Sequence, residues 1–167
     1  MNRGWKDRSA DGVRSVVKIS RDYDFPRETI FRMLTDPKKA AKVWGPEGSV
    51  KHVFELDPRP GGAITIHDGD SERILARTSG TILEIVPPEL LVFKSATTPA
   101  EGTAPWEALQ SVTLEAIGPQ RTRVTVQVKV LATGSFPGGV ESLEEGFQGG
   151  WGETFDMLER ALRPAVG

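Results

Sequence analysis

Apolar residues change their spacing three times along the chain, and each change marks a different element. Val17, Ile19 and the segment YDF alternate with polar residues, as a strand does when one face is buried. Pro26 then stands at the expected first position of a short helix over PRETIFRML, with Ile30, Phe31 and Leu34 on its apolar side. Asp36 followed by Pro37 repeats the start signal, a capping residue before proline, so KKAAKVW reads as a second short helix ended by Gly45-Pro46.

From about residue 50 the period becomes two. The runs KHVFELDP, AITIHDGDSERILARTSGTILEIVPP, LLVFKSA, ALQSVTLEAI and TRVTVQVKVL are rich in β-branched residues. They are bounded by turn chemistry at Pro60-Gly61-Gly62, Asp68-Gly69, Pro87-Pro88 and Gly118-Pro119. An antiparallel meander follows, with Arg73 and Arg77 assigned to its long strand and their facing left open. Val124, Val126, Val128 and Val130 alternate with Thr125, Gln127 and Lys129, which predicts one buried and one wet face.

The last change is back to helical spacing. Leu143, Phe147, Trp151, Phe155, Leu158 and Leu162 recur every three or four residues. Ser142 with Glu145 offers a capping box, and Asp156 with Arg160 and Glu159 with Arg163 offer i,i+4 ion pairs. Gly146, Gly149, Gly150 and Gly152 interrupt this pattern. Inside a helix, four glycines cost about 4 kcal/mol relative to alanine. Two readings stand: a helix whose glycines admit a close neighbour or a hinge, or a loop over residues 134 to 150 with the helix beginning near Gly150. The element order is β-α-α-β6-α. Residues 1 to 14 lack a period and read as a flexible tail, with Trp5 as a residue that can dock; residues 15 to 163 read as one domain.

Composition removes several functions. With 21 basic and 23 acidic residues and no basic stripe, nucleic acid is not an expected partner. The absence of cysteine excludes disulfides, thiolate metal sites and a cysteine nucleophile, and suits a reducing cytoplasm. No run approaches the roughly 18 apolar residues of a membrane span. His52 and His67 are the only histidines, and neither has metal-ligand spacing, so no metal or other cofactor is expected; the HDGD stretch reads as a hairpin turn. No Ser stands in a G-x-S-x-G elbow, Glu144-Glu145 are helix neighbours that point apart, and the glycines near Gly150 lack the strand a dinucleotide fingerprint needs.

The segments FPRETIFRMLTDPKKAAKVWGPEG, PGGAITI, SGTILEIVPPELLVF, TRVTVQV and GGWGETFDMLERAL, in this order, resemble the AHSA-type branch of the helix-grip superfamily over about residues 15 to 163. That branch is named after the C-terminal domain of the activator of heat-shock-chaperone ATPase. The superfamily also holds START-type lipid-binding domains, polyketide cyclases and birch-pollen-allergen-like proteins. The resemblance implies an α+β fold, a curved antiparallel sheet of about seven strands wrapped around a long C-terminal helix, with a cavity between them. A histidine common late in the branch's final strand has no counterpart here, where the chain reads Val128, Lys129 and Val130.

On that fold the expected ligand-binding residues are Trp44, Ile64, Ile66, Phe93, Trp106, Phe147, Gly150, Trp151 and Phe155, and the expected ligand is a small apolar or amphipathic molecule. Two alternatives remain open. One is an interaction module of the chaperone-ATPase-activator kind, with a protein partner on the outer surface. The other is a cyclase-like enzyme, which requires an acid or base such as Glu84, Glu107 or His67 facing the cavity. A monomer and a homodimer are both compatible with the sequence.

Overall fold

The computed structural model describes residue 13, residues 15 to 102 and residues 104 to 163; the expected tail over residues 1 to 14 lies outside this span apart from Val13. Strand β1 (Ser15–Tyr23) leads into helices α1 (Arg27–Thr35) and α2 (Pro37–Ala40). Six strands follow: β2 (Val50–Leu56), β3 (Ala63–Gly69), β4 (Ile74–Val86), β5 (Leu90–Pro99), β6 (Trp106–Gly118) and β7 (Arg121–Ala132). Helix α3 (Gly139–Leu162) ends the fold. All neighbours pair antiparallel in one seven-stranded sheet of order β1-β7-β6-β5-β4-β3-β2. This is the helix-grip arrangement, with the N-terminal strand closing onto the last one.

The main core lies between the inner face of the sheet and the helices. Val124, Val126, Val128 and Val130 are fully buried there beside Ile30, Leu143 and Leu158. The outer face is not uniformly wet, contrary to the alternation. Leu90, Val92 and Leu109 form a second small buried cluster, and Lys129, the register partner of Leu109, is 5% exposed. Strand parity explains the division, since Leu91 and Phe93 point inward while Leu90 and Val92 point out.

The helix termini correct the expected boundaries. Pro26 is the N-cap of α1, not its first residue, because its ψ of 151° is extended; its carbonyl accepts from the Thr29 and Ile30 amides. Asp36 caps α2 as expected, accepting from the Lys38 and Lys39 amides at 3.0 and 3.3 Å. The helix expected through Trp44 stops at Ala40. Lys42 and Val43 there make three-residue turns to Lys39 and Ala40, and Gly45 follows with φ +93°.

Helix α3 contains all four glycines, so the loop reading fails and the helical one holds. Its start also differs. The N-cap is Gly138 in the left-handed region, with no side-chain cap, and the expected capping box Ser142-Glu145 lies inside the helix. The consecutive positive φ values of Gly138 and Gly139 bring the chain in one turn early, and a Cβ at Gly138 would collide with Ser142 Oγ. In place of the expected Asp156–Arg160 pair, both residues make tertiary ones: Arg21 reaches Asp156 at 2.6 Å and Arg160 reaches Glu47 at 2.7 Å. Among the described residues no helix is long and apolar enough to cross a membrane.

Candidate functional site

Strand register places the inward side chains of β3 to β6 in cross-strand rows. Nearest the β3–β4 hairpin, Asp68 faces Ala76; the next row runs Ile66, Thr78, Thr97, Trp106. Deeper rows bring in Ile64, Gly80 and Ser95, then Ile82, Phe93 and Gln110. The first two rows thus carry a carboxylate and a threonine pair beside Ile66 and Trp106, and the deeper rows set Ser95 and Gln110 among apolar residues.

Helix α3 and the Trp44-Gly45-Pro46 turn roof this floor without filling the space below. A cavity of about 290 Å³ remains, bounded above by Leu143, Gly146, Phe147, Gly150, Trp151 and Thr154, with Phe136 at one side. The glycines account for part of the space. At Gly150 an added Cβ would meet nothing within 4 Å, whereas at Gly146 it would lie 3.3 Å from the Phe136 ring. Gly150 therefore leaves room beneath the helix, and Gly146 accommodates an aromatic side chain.

The rings that close the deep end are held by hydrogen bonds. Trp44 donates from Nε1 to the Leu34 carbonyl at 3.1 Å and packs on Phe93 with centroids 5.3 Å apart. Trp151 donates to Gln110 Oε1 at 2.8 Å, and Gln110 in turn donates to Ser95 Oγ at 3.1 Å. These three polar groups largely satisfy one another, so they fix the indole and leave little for a ligand. At the other end Trp106 meets Phe136 edge to face at 5.1 Å.

Of the nine expected site residues, the structure brings together Trp44, Ile64, Ile66, Phe93, Trp106, Phe147, Gly150 and Trp151 around this cavity. Phe155 is a correction. It sits one helical turn beyond, packed against Tyr23 and Trp151 outside the lining, and its carbonyl accepts from Tyr23 Oη at 2.8 Å. Sequence reasoning missed Asp68, Thr78, Ser95, Thr97, Gln110 and Thr154 in the wall. Period-two parity carried the signal for the first, because Asp68 follows Ile64 and Ile66 in steps of two.

Among the described residues Asp68 is the one ionisable side chain in the lining; Glu84, Glu107 and His67 are not in it. Burial pushes its carboxyl above the ordinary carboxylate range, against the pull of Lys51 and of the Ser49 hydroxyl that donates at 3.2 Å. Lys51, its register partner on β2, is lowered by burial and held up in part by Asp68. Arg77 lies on the outer face and is exposed, and Arg73 falls in the hairpin loop ahead of β4, not within the strand; there Asp70 Oδ1 accepts from the Glu72 and Arg73 amides. Neither arginine enters the wall. Among the described residues no group of three or more His, Asp or Glu is arranged to hold a metal ion. The arrangement can enclose a small molecule and offer it one carboxylate and several hydroxyls.

Residues 24–163 match the family model described as Activator of Hsp90 ATPase homolog 1-like protein. Among curated proteins none matches the sequence. Solved structures are similar in fold. Protein CV1439 from Chromobacterium violaceum has a TM-score of 0.72 at 23% identity, over 89% of this chain and 97% of that one. Protein NE0264 from Nitrosomonas europaea has a TM-score of 0.70 at 24% identity, over 92% and 96%. CalU16 from Micromonospora echinospora has a TM-score of 0.60 at 18% identity, over 89% and 76%.

Proposed function

The chain belongs to the family of Activator of Hsp90 ATPase homolog 1-like proteins, and from that premise we propose that it binds a small apolar or amphipathic molecule between the sheet and α3. The observation that carries this reading is the unfilled volume of about 290 Å³ walled by Ile64, Ile66, Phe93, Trp44 and Trp151. Protein interiors are packed with few voids larger than a water molecule, and ligand sites are concave and mostly apolar with a few polar groups. A volume just below the usual range of roughly 300 to 1,000 Å³ suits a compact ligand.

The protein's part in this reading is enclosure. Burial of the ligand's apolar surface supplies the driving force. Hydrogen bonds to Leu34 and Gln110 hold the two indoles in place along the wall. The cysteine-free composition supports a cytoplasmic setting.

Native mass spectrometry of freshly purified protein tests the reading. A non-covalent adduct of small-molecule mass, released on gentle activation and rebound from added octanol, is the expected result. A protein that carries no adduct and takes up no octanol contradicts it.

A further inference from the structure

Among the described residues the one carboxylate of the wall stands at one end of the floor, and its place bears on which end of the ligand goes where. Asp68 and Thr78 both line the cavity and are diagonal neighbours on β3 and β4, roughly 7 Å apart at Cβ. Thr78 Oγ1 lies 2.8 Å from Thr97 Oγ1 on the next strand, so one hydroxyl donates to the other; lone pairs remain to accept, and the receiving hydroxyl keeps its own O–H. The Asp68 carboxylate lies against the Gly45 turn, where a Cβ would come 3.4 Å from Oδ1. Asp68 and the threonine pair thus share this end with Ile66, Trp106 and Phe136, while Trp44, Phe93 and Trp151 close the other.

We propose that the ligand's polar end is a hydrogen-bond donor, an amine or a hydroxyl, seated on Asp68, Thr78 and Thr97, and that the site selects against carboxylates. This inference rests on the binding reading above and adds the ligand's class and orientation. A donor head spans the gap between Asp68 and the threonine pair, and its apolar tail lies toward Phe93 and Trp151. An anionic head would place like charge beside Asp68 in a partly desolvated space, an arrangement that discriminates by repulsion. Lys51 tempers this charge, but it lies outside the lining, and no arginine is in the wall to receive an acid. The raised Asp68 carboxyl points the same way, since a donor or cation beside it relieves its burial.

Three probes sharing one alkyl chain test the proposal: octanol, octylamine and octanoate, each titrated while the tryptophan indole N–H resonances are followed in proton–nitrogen correlation spectra. Octanol and octylamine are expected to shift the Trp44 and Trp151 signals, with octanoate weaker by about tenfold or more. Asp68→Asn, which keeps the size of the side chain, should bring the three within about threefold of one another. Equal binding of all three to the unaltered protein, or an Asp68→Asn variant that keeps the preference, overturns the proposal while leaving the binding reading intact. Failure of every probe to shift any indole signal overturns both.

Discussion

At the residue scale the sharpest test concerns Trp151, which is both a wall of the cavity and a member of the core. Its truncation to alanine confounds the two roles, because removing a buried Trp costs about 3–5 kcal/mol in its own right. Trp151→Phe narrows the overlap, since it keeps an aromatic ring while deleting the donor to Gln110 Oε1 together with part of the indole. Left without its partner, that oxygen should cost about 1–3 kcal/mol, read as a lower urea midpoint. Adding Gln110→Leu should recover part of the loss; no recovery would place the cost in packing, not in the hydrogen bond. The same residues show what sequence makes legible. Trp151 falls on the apolar face that helical spacing marks, whereas Trp44 and Phe93 join it only through the fold that the resemblance implies. Asp68 was missed, because HDGD carries so strong a turn signal that its second residue was read as part of the turn, although β3 continues through Gly69. Phe155 shows the opposite error: helical spacing puts it on the buried face, but only contact with Tyr23 decides that it packs beyond the cavity.

At the scale of elements, α3 is the helix that most departs from local preference. Gly149 and Gly152 face open space, with nothing within 4 Å of an added Cβ. Alanine at either position should therefore stabilise the fold by about 1 kcal/mol, measured by chemical denaturation, with octanol binding unchanged. Gly146→Ala should gain less or lose, because its methyl must displace the Phe136 ring. The existence and order of the elements were legible from period and turn chemistry, down to the Asp36 cap. Where the helices start and stop was less so. The capping box at Ser142-Glu145 is a sound local signal, yet the Gly138-Gly139 turn admits the chain earlier, and no scale of single-residue preference weighs a two-residue left-handed turn against a cap.

At the scale of the molecule, the sheet curves around α3, and tertiary ion pairs fasten the roof: Arg160 joins α3 to Glu47, and the Glu47 amide donates to Glu153. These pairs are exposed, so they orient the 44–46 turn more than they stabilise it. The antiparallel meander and its long covering helix follow from alternation and length. The cavity does not, because it is the difference between the space a curved sheet encloses and the volume of the side chains sent into it, and sequence reports only the second. That this space admits a ligand can be tested at two neighbouring glycines. The most direct measurement is the octanol affinity of Gly150→Leu against that of Gly149→Leu. Both changes replace a helical glycine, but one side chain grows into the cavity and the other into solvent. Two folded proteins are expected, with affinity lowered about tenfold or more in Gly150→Leu and unchanged in Gly149→Leu; octanol binding that survives in a folded Gly150→Leu would mean that octanol does not enter this space.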